Sequence, residues 1–379
     1  MEFTAHRDIL LTALNRAKGA VEKKTTMPIL TNILVQSVAS DLISIKATDL
    51  DISMEGQYEV DVRQAGGFCL SAAKFLDVVR TLPSGNVTVK LNKETNRAEI
   101  RGEKNAFFKL FTVPVEDFPT LPTTEEVPLT DIDPDLLFKA MTFVLPASGT
   151  DDPRVYLNSI YLENRGKGLA RFVATDGHKL SVIEKNLNAE VPVTKGVIIP
   201  RKAVVEMIKL MEGDALKNVK LGFANNHGFL KADRLTFSFR LIDSSYPNYD
   251  MVIPSNFQRT VRVNRAELKE LVGRISVLAP ERNSRVRMDF KQDHILASYS
   301  NQEYGSSQQP LEAQLEGEPV SLGFTVNILQ DILGIFDQDV VTLSIVDPET
   351  PVKVEGEGFT EGLGVVMPIR LEYINEEVE

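Results

Sequence analysis

Apolar residues recur at helical spacing in three places along the 379-residue chain, each time directly after an acidic residue. The acidic residues Asp8, Asp135 and Glu267 stand 127 and 132 residues apart. The apolar positions that follow them are Leu10, Ala13, Leu14 and Ala17; Leu136, Met141 and Val144; and Leu268, Leu271 and Ile275. A spacing of three and four residues is typical of an amphipathic helix, so the pattern predicts one helix at each place.

A second helical pattern occurs once in each third of the chain. SAAKFLDVVRTL begins at Ser71, PRKAVVEMIKLM at Pro200 and TVNILQDILGIF at Thr325, which are 129 and 125 residues apart. A short apolar run precedes each one (GGFCL, KGVIIP, SLGF), and an alternating segment follows (NVTVKL, NVKLGF, VVTLSIV). These flanking runs predict strands on both sides of each helix.

Between the two helices of each third lies a block that predicts three strands separated by polar turns. The blocks are TNILVQSVASDLISIKATDLDISMEG, LNSIYLENRGKGLARFVATDGHKLSVIEK and RVRMDFKQDHILASYSNQEYG. Runs of strands between two helices favour an α+β fold with antiparallel sheets. We therefore predict three similar domains, each with two helices on an antiparallel sheet scaffold, over residues 1–124, 125–254 and 255–379, the last with an acidic tail at 372–379.

The charge distribution leaves room for contact with nucleic acid, although the net charge is -11. The formal charge is zero over residues 1–124, -1 over 125–254 and -10 over 255–379. The acidity is concentrated in residues 292–379, which hold 2 basic and 17 acidic side chains. The rest of the chain can therefore still present basic faces to phosphate groups.

Cysteine, histidine and glycine patterns give no sign of a cofactor or metal site. Cys69 is the one cysteine and the four histidines are scattered, so we expect neither disulfides nor a metal cluster. No phosphate-binding loop of the form GxxxxGK[ST] occurs. There is neither a secretory leader pattern nor an apolar run near the ~20 residues of a membrane span, so we expect no membrane association and a cytoplasmic location.

Five motifs, in their order and spacing, resemble the bacterial β sliding clamp family, the processivity subunits of DNA polymerase III. They are KKTTMPILTNIL from residue 23, KATDLDIS from residue 46, VATDGHKLSV from residue 173, YPNYDMVIP from residue 246 and VVMPIRL from residue 365. The resemblance extends through Leu371, and the threefold repeat strengthens it.

The resemblance implies a non-catalytic, head-to-tail homodimeric ring that encircles duplex DNA. Sliding requires binding without sequence readout, which Lys and Arg contacts to phosphates allow. The implied partners are double-stranded DNA, a second copy of the chain, the polymerase catalytic subunit, the clamp loader and other proteins with a clamp-binding motif. These proteins would bind a peptide pocket between the second and third domains.

The resemblance also assigns residues to this pocket. They are Leu157, Thr175, Gly177, His178, Lys179, Leu180, Pro247, Val252, Ile328, Val365, Met367, Pro368, Ile369, Arg370 and Leu371. The chain departs from the family at Met251, where arginine is frequent, at Ile328, where tyrosine is frequent, and at Asn283, where an aromatic residue is expected. These departures alter the shape of the pocket, and with it the peptide preference, rather than its location.

The segment TDGHKL at residues 175–180 has two further interpretations. Asp176 and His178 could perform acid–base chemistry, which gives a hydrolase as the alternative function. No partner nucleophile or second carboxylate is identifiable. Asp and Gly also favour tight turns, so a plain turn is the simpler interpretation.

DNA contacts and the dimer interface follow from the resemblance together with the charge pattern. The predicted DNA contacts are Lys24, Arg154, Tyr156, Arg201 and Lys202. The predicted interface joins a basic, aromatic strand at residues 101–110 to the acidic third domain. Its residues are Arg101, Lys104, Phe107, Phe108, Lys109 and Glu303. Side chains alternate along a strand, so we expect one of the two phenylalanines at the interface.

Overall fold

The computed structural model describes residues 1–22, 25–212, 216–278, 285–301 and 303–371. Within these ranges the chain forms six α-helices and two antiparallel sheets, with two helices in each predicted third. This arrangement confirms the predicted α+β class. No helix in these ranges is both long enough and apolar enough to cross a membrane.

The helices begin where the sequence places polar residues before an apolar pattern. They are α1 (Arg7–Ala17), α2 (Ala72–Thr81), α3 (Pro134–Val144), α4 (Arg201–Met211), α5 (Arg265–Ile275) and α6 (Val326–Leu333). Ser71 caps α2 and Asn264 caps α5, each by accepting a hydrogen bond from the backbone N–H three residues later. Such side chains satisfy N–H groups that have no partner within the helix.

The strands follow the same order in each third, except that the first third has an additional strand, β5. The first third contains β1 (Glu2–His6), β2 (Asn32–Ala39), β3 (Leu42–Thr48), β4 (Ile52–Glu59), β5 (Asp61–Gln64), β6 (Gly67–Ser71), β7 (Asn86–Asn92), β8 (Arg97–Arg101) and β9 (Phe107–Val113). The second contains β10 (Leu129–Asp131), β11 (Ser159–Gly166), β12 (Leu169–Thr175), β13 (Lys179–Asn186), β14 (Val197–Pro200), β15 (Val219–Ala224), β16 (His227–Ala232) and β17 (Leu235–Arg240). The third contains β18 (Arg259–Asn264), β19 (Arg285–Phe290), β20 (His294–Asn301), β21 (Gly305–Glu316), β22 (Val320–Thr325), β23 (Val340–Ile345), β24 (Val352–Gly356) and β25 (Gly362–Val366).

The first compact unit comprises Met1–Pro134 and Val205–Leu241. Its strands form one sheet in the order β10-β15-β16-β17-β4-β3-β2-β6-β9-β8-β7-β1-β5. Helices α1 and α2 pack against each other in this unit. The apolar faces of these elements bury large side chains, among them Phe3, Phe68 and Phe237.

The second compact unit comprises Asp135–Val204 and Ile242–Glu379. Its strands form one sheet in the order β14-β11-β12-β13-β25-β24-β23-β18-β21-β20-β19-β22. Helices α5 and α6 pack against each other, and α6 also packs on β13 and β25. The central predicted domain thus contributes strands to both sheets, through the pairs β4–β17 and β13–β25.

Candidate functional site

A cavity of about 240 Å³ opens within the second compact unit, beside the start of β13 and the end of β25. Its walls come from the turn before β13, the chain after β25, a loop before β11 and the connection between the second and third repeats. The lining residues are Arg154, Tyr156, Leu157, Thr175, Gly177, His178, Lys179, Leu180, Pro247, Asn248, Tyr249, Val252, Pro351, Val365 and Met367. Apolar side chains predominate in the lining, as in most sites for organic ligands and peptides.

The TDGHKL segment is a tight turn between β12 and β13. Asp176 Oδ1 accepts hydrogen bonds from the backbone N–H groups of His178 (2.8 Å) and Lys179 (3.0 Å). Gly177 has φ +90°, a left-handed conformation that glycine adopts at little cost. Because its carboxylate holds the turn together, Asp176 serves structure here, and the geometry does not favour the hydrolase alternative.

The chain after β25 lies against this turn. Leu180 pairs with Val365 across the two strands, and the N–H of Met367 donates to the carbonyl of His178 (2.9 Å). Met367 is 40% exposed at the rim of the cavity. A flexible, polarizable methionine at this position suits an apolar groove that accepts more than one sequence.

Buried charge lies directly behind the turn. The Lys179 side chain is only 8% exposed, and its Nζ pairs with Asp331 of α6 and lies 3.6 Å from Asp176 Oδ2. Arg154 at the rim binds Asp152 through two hydrogen bonds of 2.9 Å. Those bonds lower the pKa of Asp152 to about 2, so the pair is charged at neutral pH.

Of the fifteen predicted pocket residues, the structure places ten around the cavity. The other five do not line it: Ile328, Pro368, Ile369, Arg370 and Leu371. Ile328 lies on α6, the N–H of Ile369 donates to the carbonyl of Gly323, and Arg370 pairs with Glu349. Arg154 and Tyr156, predicted as DNA contacts, do line it.

Three lining residues were absent from the sequence prediction. Asn248 and Tyr249 belong to the YPNYDMVIP motif, which contained the signal. Pro351 lies just before β24 and reaches the cavity only through tertiary structure, so no local pattern marks it. Met251 is 81% exposed on the same connection, whereas Asn283 and the tail 372–379 lie outside the described residues.

The predicted DNA contacts have different environments. Arg201 begins α4 and is half-buried, and its Nη1 donates to the carbonyl of Leu145 (2.7 Å) and to Ser148. Burial lowers the pKa of Arg201, an effect that the charge of Asp331 partly offsets. The next residue, Lys202, is exposed, and Lys24 lies outside the described residues.

The predicted strand at residues 101–110 is wrong as a single element. Arg101 ends β8, Phe107 begins β9, and a turn between them contains Lys104 at φ 55°. Both predicted phenylalanines are exposed in the single chain, Phe107 by 47% and Phe108 by 36%, so neither is buried in the domain core. Phe111, which the prediction omitted, is 73% exposed on the same strand. Glu303 lies in the turn before β21.

No group of three or more His, Cys, Asp or Glu side chains in the described ranges has the geometry of a metal site.

Family comparisons cover nearly the whole chain. Three family models match: the DNA polymerase III beta subunit N-terminal domain over residues 1–122, the central domain over 131–248 and the C-terminal domain over 250–370. The beta sliding clamp of Vibrio cholerae is 31% identical over 98% of this chain and 100% of its own length. The beta sliding clamp of Escherichia coli K12 is 30% identical over the same shares.

Solved structures agree with the sequence comparison. The polymerase III beta subunit of Caulobacter crescentus superposes with a TM-score of 0.89 at 27% identity, over 98% of this chain and 100% of that one. The Pseudomonas aeruginosa sliding clamp bound to griselimycin gives a TM-score of 0.90 at 27% identity, with the same coverage. The repeated architecture, the cavity beside the TDGHKL turn and these matches together show that the chain belongs to the DNA polymerase III beta subunit family, the beta sliding clamps.

Proposed function

We propose that two copies of this chain form a closed ring around duplex DNA and tether the replicative polymerase to it. The ring would bind DNA without sequence readout and act in the cytoplasm as the non-catalytic processivity subunit of DNA polymerase III. The polymerase catalytic subunit, the clamp loader and other proteins with a clamp-binding motif would use the cavity in turn. Membership in a family of non-catalytic clamps excludes the hydrolase alternative.

This proposal rests mainly on the way in which strands of successive repeats pair. The last strand of the middle block in one repeat pairs with the final strand of the next, as β4 does with β17 and β13 with β25. Both joins are antiparallel. Two strands of these kinds take no part in the joins within the described chain. They are β21, which matches β4 and β13 as the last strand of its middle block, and β9, which matches β17 and β25 as the final strand of its repeat.

Both strands have an open edge in the described chain. Residues 107–111 of β9 pair with β8 on one side, and β9 meets β6 only at Thr112 and Val113. Residues 305–312 of β21 pair with β20, and β21 meets β18 only from residue 313 onward. An open edge is a template for another chain. This pairing pattern therefore predicts that β21 of one copy pairs with β9 of the other, which gives a head-to-tail dimer with two equal interfaces.

The internal joins also predict the register of this interface. In them Thr236 is opposite Glu55, and Leu363 is opposite Val182. When the strand pairings of the three repeats are aligned, Phe107 takes the same position as Thr236 and Leu363. In the same alignment, Gln308 takes the position of Glu55 and Val182. Phe107 should then be opposite Gln308, which places Phe108 opposite Ser307, Lys109 opposite Ser306 and Phe111 opposite Tyr304.

Cysteine pairs test the ring and its register together. Directly opposed antiparallel residues lie ~4.5–5.5 Å apart at Cα, within disulfide range. A chain with Lys109→Cys and Ser306→Cys should oxidise to a covalently closed dimer. If the second cysteine is moved two residues along, as in Lys109→Cys with Gln308→Cys, crosslinking should be much slower. Native Cys69 is buried and its pKa is raised to about 12, so it should not interfere.

The oxidised dimer gives the functional readout. When oxidised in the presence of circular plasmid, it should remain on the DNA at high salt and be released when the plasmid is cut once. Two results would refute the ring. One is that the designed cysteine pair forms no crosslink between two chains, or that only the displaced pair does. The other is that the oxidised protein leaves circular and linear DNA equally fast.

The cavity is the proposed docking site for partner peptides. Its apolar lining includes Leu157, Leu180 and Val365, with Met367 at the rim, and binding energy concentrates in such desolvated pockets. A fluorescent peptide with the clamp-binding motif of the replicative polymerase should bind one site per protomer. Loss of this binding in Leu180→Ala with an unchanged dimer would support the assignment, and undiminished binding would refute it.

A further inference from the structure

Residues 246–253, here called the linker wall, form one side of the cavity with little regular structure. They contain one short 3-10 turn, Tyr249–Val252, which ends with a backbone hydrogen bond from Ile253 to Asp250 (3.3 Å). Side chains therefore supply much of the support for this segment. The ring of Tyr249 is buried among Val173, Val182 and Val365.

A row of charged side chains crosses the sheet beneath the linker wall. Glu163 of β11 is directly opposite Arg171 of β12, which is directly opposite Glu184 of β13. Arg171 Nε donates to Glu184 Oε1 (2.8 Å), and Arg171 Nη2 forms an ion pair with the same oxygen at 2.7 Å. Oppositely charged neighbours across strands stabilise a sheet face, and these three are aligned to act as one unit.

Both Arg171 and Glu163 also bind the linker wall. Arg171 Nη1 donates to the Tyr249 hydroxyl (3.2 Å) and to Asp250 Oδ1 (3.3 Å). The Tyr249 hydroxyl in turn donates to Glu163 Oε2 (2.9 Å). The Tyr249 hydroxyl thus accepts a hydrogen bond from Arg171 and donates one to Glu163, so it acts as both acceptor and donor.

The electrostatic environment keeps these groups in the forms that the contacts need. Burial lowers the pKa of Arg171, but its hydrogen bonds and charge interactions with Tyr249 and Glu184 outweigh burial, and the pKa is raised. Burial raises the pKa of the Tyr249 phenol to about 12. At neutral pH the guanidinium is therefore charged and the phenol keeps its proton.

The first repeat provides an internal comparison. The same row on β2, β3 and β4 consists of Gln36, Ser44 and Gln57, directly opposite one another and uncharged. The corresponding connection has Leu121, in FPTLP, where the linker wall has Tyr249, in YPNYD. A cavity of about 440 Å³ also opens at this first junction, beside Phe118 and Leu121. The scaffold therefore forms a junction cavity without the charged row, so the row is a feature of the second junction alone among these two.

We propose that Arg171 is a positioning residue for peptide binding: together with Glu163 it fixes the linker wall, through Tyr249 and Asp250, in the position that closes the cavity. This inference rests on the proposed role of the cavity as the peptide site. Without Arg171 the linker wall would sample open positions, and a peptide would have to order it on binding. That cost weakens affinity although the peptide itself touches the same side chains as before.

Matched arginine variants isolate this role. Arg171→Met keeps the length and apolar part of the side chain, and Arg165→Met is its control. Arg165 contacts the same two carboxylates, Glu163 at 3.0 Å and Glu184 at 3.9 Å, but makes no described contact with the linker wall. Because the chain has no tryptophan, Met251→Trp places a single reporter on the linker wall, at a site 81% exposed.

Two measurements then decide the matter. Arg171→Met should weaken binding of the polymerase motif peptide by about tenfold, the order expected when charge-assisted hydrogen bonds are removed. It should also increase the fast component of the anisotropy decay of the tryptophan reporter, while Arg165→Met changes neither. Tyr249→Phe, which removes only the hydroxyl, should shift both readouts in the same direction by a smaller amount, and it serves as the deciding variant if Arg171→Met does not fold.

The outcomes separate this inference from the proposal it rests on. If the unaltered chain binds no motif peptide, the assignment of the cavity fails. If the unaltered chain binds and the folded Arg171 or Tyr249 variants bind equally well with unchanged anisotropy, the positioning role is refuted. Equal weakening by Arg165→Met would also refute it, since that result shows a general effect of charge on the sheet.

Discussion

Phe108 offers the sharpest test of ring closure. Its counterparts in the internal joins are Phe237, which is fully buried between β4 and β16, and Gly364, where a side chain would run into Ile332 of α6. Phe108 should therefore be the interface phenylalanine, on the face covered by helices, whereas Phe107 takes the half-buried outer position of Thr236 and Leu363. The substitution Phe108→Ala should therefore weaken the dimer.

The magnitude follows from the exposed area. Phe108 is 36% exposed in the single chain. For an aromatic side chain of roughly 200 Å², this leaves ~70 Å² to be buried at the interface, worth ~1.8 kcal/mol at about 25 cal/mol per Å². A ring has two such interfaces, so the loss should total ~3.5 kcal/mol, or roughly 400-fold in the dimer dissociation constant.

Sedimentation velocity over a dilution series measures this constant. Val38→Ala is the control, because Val38 is an exposed apolar residue (53%) near the turn between β2 and β3, away from the open edge. We expect the control to dimerise like the unaltered chain and the Phe108 variant to populate monomer at far higher concentration. A dissociation constant within about threefold of the control would contradict the register, since it corresponds to less than ~0.7 kcal/mol.

Three further predictions concern the other surfaces. Deletion of Met367–Leu371 should abolish binding of the motif peptide and leave the dimer intact by sedimentation; full peptide affinity would exclude this segment from the site. Reversal of charge at Arg201 and Lys202 should reduce the slope of DNA binding against log salt, by roughly 0.9 for each phosphate that is no longer neutralised; an unchanged slope in a salt titration would show that they do not bind DNA. Replacement of Lys104 and Lys109 with glutamate should shift the dimer toward monomer more at low salt than at high salt, since salt screens surface charges; a variant that stays dimeric at low salt and low concentration would rule out the electrostatic part of the interface.

The threefold repeat could be predicted because helical and strand periodicities are local properties of the sequence. The helices that begin at Arg7, Ala72 and Arg265 follow polar cap residues and apolar stripes that the sequence displays directly. The hairpin between Arg101 and Phe107 was missed because alternating residues continue on both sides of a short turn. Its left-handed residues are Lys104 and Asn105. Gly102 and Asn105 are typical turn residues, so the sequence did contain a turn signal that the alternation obscured.

The arrangement of the repeats into sheets could not be predicted from periodicity. A strand shows in its sequence which face is buried but not which distant edge it pairs with. The joins of β4 with β17 and of β13 with β25 link residues more than a hundred positions apart. The row of Glu163, Arg171 and Glu184 was missed for a similar reason. Each of these residues lies on a different strand, and a charged residue on a strand is usually exposed to solvent. Only the tertiary structure shows that the three are adjacent and that a connection covers them.

The chemistry of the open edge differs from that of the internal joins in a way that fits a joint between separate molecules. Inside the chain, β4 and β17 bury Phe237 and Phe239 completely, which is possible because the two strands never separate. On β9 the rings remain exposed and cations stack on them: the guanidinium of Arg97 lies 4.6 Å from the centre of the Phe111 ring, and that of Arg101 lies 5.1 Å from the centre of the Phe107 ring. Such stacking costs little, leaves a charged surface toward water and discourages unspecific pairing of the edge. In the proposed dimer the same cations would face the acidic third repeat, so one set of charges would protect the free edge and complement the partner.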